Sequence, residues 1–238
     1  MVTRRLPPGA RIYAVGDVHG HADKLIALHD AIRADLKRRP AGSPFLIHLG
    51  DYIDRGPNSA GCLALLAQTP PIPGVPTINL MGNHEWMLLT ALDRPSAAAA
   101  ELWFENGGDM TLESWGIPIG TPVQRWREMI PTAQIAFLRG LPLNHVLGGY
   151  VFVHAGVRPG LALAEQTRMD MLWIRDEFLD WDGPLLPEAP DSVVVHGHTP
   201  TYVPVLRPNR IGIDTNAGRG GPLTCAVLDD GEPRFLQV

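Results

Sequence analysis

Along the first ninety residues, short apolar runs alternate with stretches of helical period. Arg11-Ile12-Tyr13-Ala14-Val15 reads as a strand that stops at Gly16-Asp17. From Ala22 to Arg39 the apolar residues Leu25, Leu28, Ile32 and Leu36 recur at spacings of three and four, and Lys37 and Arg38 fall in the last turn, which predicts an amphipathic helix. Phe45-Leu46-Ile47-His48-Leu49 is a second strand, ending at Gly50-Asp51. Asn58 is placed to cap a helix running to about Gln68, with Cys62, Leu63, Leu65 and Leu66 on its apolar side. Thr77-Ile78-Asn79-Leu80-Met81 is a third strand, ending at Gly82-Asn83, and a further helix follows from about Glu85. This alternation predicts parallel strands joined by helical crossovers.

Residues 94–142 read as helical and irregular, with Thr121-Pro122 and Pro131-Thr132 opening two of the segments, since proline is tolerated in a first helical turn. Thereafter the pattern turns to strands. Gly148-Gly149, between Val146-Leu147 and Tyr150-Val151-Phe152-Val153, is a hairpin signal. Val193-Val194-Val195 is a buried strand ending at His196-Gly197-His198. Arg210 to Ile213, Leu223 to Leu228 and Arg234 to Val238 look like a closing meander, with Asp229-Asp230-Gly231 as one turn and 184–190 as a loop. No repeat or separating linker interrupts the chain. One domain is expected over residues 1–238, with 1–10 as an N-terminal extension.

Composition narrows the class. A chain of 238 residues, 45% hydrophobic and 19% charged, can build a substantial core and is neither disordered nor a coiled coil. The 25 glycines and 23 prolines point to many turns, where function concentrates. A net charge of −5 without a basic block disfavours nucleic acid as a partner and suits a site that gathers carboxylates around cations. No apolar run is long enough to span a membrane, and Arg4 and Arg5 precede no apolar stretch of a secretory signal. The expected compartment is the cytoplasm, with Cys62 and Cys225 as buried free thiols.

The informative chemistry stands just past each strand. Asp17 and His19 lie in Gly16-Asp-Val-His-Gly20, and Asp51, Asp54 and Arg55 in Gly50-Asp-Tyr-Ile-Asp-Arg-Gly56. Asn83 and His84 lie in Gly82-Asn-His-Glu85, His154 in His-Ala-Gly156, and His198 in His196-Gly-His-Thr-Pro200. Ligand sites of open α/β sheets collect at the carboxyl ends of strands, so turns distant in sequence can converge there. Oxygen and imidazole donors without a thiolate suit Mn²⁺, Fe or Zn²⁺. Asp17, His19, Asp51, Asn83, His154 and His198 exceed the needs of one tetrahedral ion and fit two open-sided ions bridged by a carboxylate.

These five ordered blocks resemble the calcineurin-like metallophosphoesterases, specifically the phosphoprotein phosphatase family, from about Arg11 to the C-terminus. Leu172-Trp173-Ile174-Arg175 and Ile213-Asp214-Thr215 are similar to segments of its compact bacterial and phage-type members. The resemblance implies an α/β/β/α sandwich of two mixed sheets flanked by helices. It implies two divalent metal ions, manganese first and iron or zinc next. Asp17, His19 and Asp51 would hold one ion; Asp51, Asn83, His154 and His198 would hold the other. His84 would be the general acid, held by Asp54, and Arg55 and Arg175 would grip the phosphate. Attack by a metal-activated hydroxide, without a phosphoenzyme, is the implied chemistry. Nucleases and many diesterases of the wider superfamily carry Gly-His-x-His; Pro200 stands where that last histidine would be, which favours the phosphomonoesterase branch.

The leading functional expectation is hydrolysis of phosphoserine or phosphothreonine in proteins. The alternative is a dinucleoside tetraphosphate hydrolase or polyphosphatase on the same metal core, and a remoter one a binding protein without turnover, against which stands the complete set of blocks. Other residues have plainer readings. His21, His29, His48 and His145 are read as structural or surface residues, His196 as a strand histidine, and Trp103, Trp115 and Trp126 as core. The plainer reading of Arg175 is a surface ion pair with Asp176 or Glu177, and Asn106-Gly107-Gly108 is read as a turn.

Overall fold

The computed structural model describes residues 6–67 and 70–238; Arg4, Arg5 and the expected helix end at Gln68 lie outside the described residues. The first half follows the pattern closely: β1 (Ala10–Val15), α1 (Ala22–Arg38), β2 (Ser43–His48), α2 (Ser59–Ala67), β3 (Thr77–Asn79) and α3 (Asn83–Asp93). Asn58 caps α2 by accepting the Gly61 N–H at 2.9 Å. The α3 helix begins two residues earlier than expected, which puts Asn83 and His84 in its first turn. Four helices fill the middle: α4 (Ala97–Glu105), α5 (Gly108–Ser114), α6 (Val123–Met129) and α7 (Thr132–Arg139). Pro122 and Pro131 stand one step outside the expected first turn, at the N-cap positions of α6 and α7.

The hairpin forms as β4 (Asn144–Leu147) and β5 (Tyr150–Val153), with Gly148 at φ 60 in the turn. Two short helices, α8 (Arg168–Trp173) and α9 (Asp176–Leu179), precede β6 (Val193–His196), β7 (Val205–Leu206), β8 (Arg210–Gly212), β9 (Thr224–Leu228) and β10 (Arg234–Gln237). The first sheet has the order β10-β9-β1-β2-β3 and the second β4-β5-β6-β8-β7, both mixed. The closing meander is therefore not one. Only β9 and β10 pair as antiparallel neighbours, on the edge of β1, whereas β8 lies parallel to β6 in the other sheet. Both placements bury apolar residues equally well, so local pattern could not separate them; the crossing chain between β8 and β9 carries Asp214 to Gly221 past the strand ends.

Side-chain alternation builds three layers of packing. Ile12, Ala14, Ile47 and Leu49 face Tyr150, Phe152, Val193, Val195 and Ile211 between the sheets. Their neighbours Tyr13, Val15 and Leu46 point outward against α1, α2 and α3. On the far side Val151, Val153 and Val194 pack against Met171 and Phe178. This is the α/β/β/α sandwich. Cys62 and Cys225 are buried free thiols, and Trp103 and Trp126 belong to the core. No helix among the described residues is long and apolar enough to cross a membrane.

Under the first sheet, His48 donates through Nδ1 to Asn79 Oδ1 at 2.8 Å, which leaves its Nε2 to accept from His29 Nε2 at 2.9 Å. Burial depresses both rings, His29 to about 4 and His48 well below the ordinary histidine value. A folded-state affinity for protons below that of the unfolded chain means stability is complete above pH 6.5 and falls as the pH drops towards 4. The His29 share of that loss is about 3 kcal/mol. Urea unfolding of His29→Gln between pH 7 and 4 should show a correspondingly flatter profile than the parent; parallel profiles would remove the pair from the acid response.

Candidate active site

Five turns meet at one edge of the sandwich, because β1, β2 and β3 run parallel in one sheet and β5 and β6 in the other. Asp17 and His19 follow β1, Asp51, Asp54 and Arg55 follow β2, Asn83 and His84 open α3, His154 follows β5, and His198 follows β6. All of them are buried except Arg55, which is half-buried. Among the described residues, the non-glycine positions with positive φ are His19, Asp51, Asp54, Arg55, His198 and Asn216. Five of these six are candidate site residues, so backbone strain is concentrated where the chemistry was expected.

Glu85 holds this strained geometry. Its Oε2 accepts the N–H groups of Asp51 and Gly82, both at 2.9 Å, and its Oε1 those of Tyr52 at 2.7 Å and Ile53 at 3.3 Å. Gly82 is required there, since a Cβ would fall 2.3 Å from Asp51 N and 2.2 Å from its Oδ1. Glu85→Gln would turn an amide N–H₂ towards two of those backbone donors. We expect it to cost about 1–3 kcal/mol by chemical denaturation and to weaken divalent-metal binding. Unchanged stability with unchanged metal content would remove Glu85 from this role.

Asp51 is common to two groups of potential ligand atoms, His19–Asp51–His84 and Asp51–His154–His198. Its Oδ2 lies 3.5 Å from His19 Nε2 and 3.8 Å from His84 Nε2, and its Oδ1 3.4 Å from His154 Nε2. Asn83 Oδ1 faces His154 Nε2 and His198 Nδ1, each at 2.9 Å. Asp17 stands beside rather than inside these groups, its oxygens accepting the His198 N–H at 3.2 and 3.0 Å. His84, expected as an acid held by Asp54, is also within reach of Asp51.

The donor set fits cations. His154 donates through Nδ1 to Leu49 O at 3.0 Å, so its Nε2 presents a lone pair to two oxygens. Such an arrangement is repulsive until positive charge stands between the atoms. Burial pushes the Asp17 carboxyl well up, with Asp214 and Asp51 adding to the shift, and pushes Asp214 up to about 6. Burial also holds His198 down to about 2. Crowded carboxylates beside the imidazoles of His19, His154 and His198, whose affinity for protons burial lowers, make a thiolate-free donor set suited to divalent cations.

Beside it stands a histidine–carboxylate pair. His84 Nδ1 bonds Asp54 Oδ2 at 2.7 Å. Asp54 is fixed in turn by Trp103 Nε1 at 2.8 Å and by Thr111 Oγ1, 2.6 Å from Oδ1. Burial disfavours a second ring proton on His84, but Asp51 and Asp54 outweigh it and raise the ring above the ordinary histidine value. Arg55 reaches His19 Nε2 through Nη1 at 2.9 Å and His84 Nε2 through Nη2 at 3.1 Å. Arg175 reaches the other group, its Nε donating to His198 Nε2 at 3.2 Å. The surface ion pair envisaged for Arg175 is absent among the described residues; Glu177 instead pairs with Arg158 at 2.8 Å.

Several contributors had no local signal. Trp103 and Thr111 lie 49 and 57 residues beyond Asp54. The Asn106-Gly107-Gly108 turn is present and braces the site, with Gly107 O accepting the Arg55 N–H at 3.0 Å. Lys24 ties down the loop after Asp214 by donating to Gly221 O at 2.7 Å. Glu85 was visible as a carboxylate inside a motif block, but its four backbone partners were not. His196 packs its ring edge against Phe178 and belongs to neither ligand group.

A sandwich of this topology with this cluster at its strand ends is that of the calcineurin-like phosphoesterases; their family model matches residues 10–228, and the chain belongs to that family of hydrolases acting on phosphoester bonds. Among its relatives, serine/threonine-protein phosphatase 1 of Salmonella typhimurium is 30% identical over 91% of each chain. A symmetrical bis(5'-nucleosyl)-tetraphosphatase of Aromatoleum aromaticum is 31% identical over 63% of this chain, which covers 45% of that protein. A solved structure assigned as a diadenosine tetraphosphatase superposes with a TM-score of 0.66 over 98% of this chain and 96% of that one, at 23% identity, a likeness of fold.

Proposed function

We propose that this chain is a metal-dependent phosphomonoesterase, in first place a serine/threonine protein phosphatase, built as a single metallophosphoesterase domain. The observation that carries this reading is the sharing of Asp51 between two ligand groups, beside the His84–Asp54 pair. In it, Asp17, His19 and Asp51 hold one divalent ion, and Asp51, Asn83, His154 and His198 the other, with manganese the preferred metal. When bound, such ions lower the pKa of water and neutralise phosphoryl charge. His84, pinned through Nδ1, holds a proton at Nε2 for the leaving oxygen once Arg55 turns to the phosphoryl group. Arg55 and Arg175 stand at different ligand groups, so their guanidiniums suit paired hydrogen bonds to separate phosphoryl oxygens. Buried, unpaired Cys62 and Cys225 suit a reducing compartment, and the cytoplasm is the proposed location.

Support for a protein substrate is the near end-to-end match to a serine/threonine-protein phosphatase. The second reading, a dinucleoside tetraphosphate hydrolase, is favoured by the partial matches to tetraphosphatases. With Mn²⁺ added, rates on a phosphopeptide panel, a dinucleoside tetraphosphate and polyphosphate separate them. The first reading requires phosphopeptides to be the best substrates; a higher kcat/KM on the tetraphosphate replaces it by the second.

A further inference from the structure

A cavity of about 390 Å³ opens beside the site, lined by Trp86, Leu89, Asp93, Arg94, Arg139 and Arg168 among others. It lies between α3 and α8, and both helices lead out of the candidate metal cluster. Asn83, Trp86, Thr90 and Arg94 share one stripe along α3 and beyond its end, spaced by three, four and four. Trp86 meets Trp173 edge-on at 6.4 Å, and Trp173, the last residue of α8, meets His198 edge-on at 6.0 Å. Two indoles, Trp86 in the cavity wall and Trp173 behind it, therefore connect the cavity to a candidate metal ligand, and Arg168 opens the same short helix that Trp173 closes.

The charge here is opposite to that of the whole chain. Arg127 and Arg139 share a single carboxylate, Asp93, and the exposed Arg94 and Arg168 have no ion pair or side-chain hydrogen bond among the described residues. Three guanidiniums line the cavity with one acid, and Arg127 reaches that same acid, in a protein of net charge −5. The walls between them are apolar or aromatic, from Met81, Trp86 and Leu89. A polyphosphate chain would pair with the arginines but leave the apolar and aromatic walls uncovered, whereas a peptide offers carboxylates for the arginines and side chains for the walls.

Resting on the protein-phosphatase reading, we propose that this groove binds an acidic segment of the phosphoprotein substrate. At about 1.5 Å per helical residue, Arg168 lies about 8 Å from Trp173 along α8, and Arg94 about 16 Å from Asn83 along the α3 axis. An extended peptide covers about 3.3 Å per residue, so the aspartates or glutamates recognised stand roughly two to five residues from the phosphorylated one.

The test compares the parent with Arg94→Glu/Arg168→Glu on two phosphoserine peptides, with acidic or with glutamine flanks, on an aryl phosphate and on a dinucleoside tetraphosphate. An unphosphorylated acidic peptide is titrated calorimetrically as a direct probe of the groove. The parent should show a KM about five- to tenfold lower for the acidic peptide, at equal kcat and lost in high salt. The variant should lose that preference and the calorimetric signal, while keeping its melting temperature and its aryl phosphate turnover. Equal KM values for the two peptides in the parent overturn the proposal, as does a variant weakened only on the tetraphosphate. Binding of the acidic peptide without cleavage of any phosphopeptide would leave the groove standing and remove the protein-phosphatase reading instead.

Discussion

Asp51→Asn should abolish turnover and most of the divalent-metal content together. Removing one preorganised stabilising group from an active site costs about 10²–10³ in rate, and this carboxylate faces both ligand groups, so a loss above about 10³-fold is expected. The substitution is nearly isosteric. Burial works to raise the Asp51 carboxyl, but His154, His84 and His19 outweigh it and hold it below the ordinary carboxylate value, so Asn removes a charged partner of these rings while easing the repulsion that helps push Asp17 and Asp214 up. The two effects oppose each other, so the metal-free variant should melt close to the temperature of the metal-free parent. What it should lose is the rise in melting temperature that Mn²⁺ confers on the parent, because ligand binding stabilises only in proportion to affinity. Metal analysis and thermal melts with and without Mn²⁺ read both effects. Normal metal stoichiometry in Asp51→Asn would end the two-ion reading, and so would activity in the parent after exhaustive chelation.

For His84→Asn the expected pattern is the reverse: metal retained, chemistry lost. A positioned acid contributes about 10²–10⁴ in rate, and kcat on an alkyl phosphate should fall by that order. The loss should shrink on aryl phosphates, whose leaving oxygen needs less protonation. The backbone N–H that His84 gives to Asp51 at 3.1 Å survives the change, so Asp51 keeps that support. Asp54→Asn should give a smaller loss of the same kind, since Trp103 and Thr111 still hold residue 54 but the His84 ring loses its charged partner. Equal losses on good and poor leaving groups would show that His84 is not the acid.

The candidate site was unusually legible because each contributor stands immediately past a strand, in a short block where glycine and a donor occur together. Asp17, Asp51, Asn83, His154 and His198 come from strands that point the same way, and parallel alternation was readable from the periodicity of residues 10–93. Arg175 was less legible. Its reach to His198 depends on α8 and α9 packing over the second sheet, and nothing beside it in sequence distinguishes that from an exposed helix end.

The sequence by itself determined the alternation of strands and helices, the outward and inward faces of each strand, and the residue types that gather at the strand ends. These follow from short-range rules: side-chain period, turn chemistry and the affinity of hard donors for cations. Only the tertiary structure decided which sheet receives the last strands. β8 could join either layer on its apolar pattern, and its parallel register against β6 is set by packing across the whole sandwich. Tertiary structure likewise decided that Trp103 and Thr111, far along the chain, clamp Asp54, and that Glu85 collects four backbone donors from two turns. A buried carboxylate takes whatever donors the fold brings within about 3 Å, and that proximity is a property of the packed layers and not of any one segment.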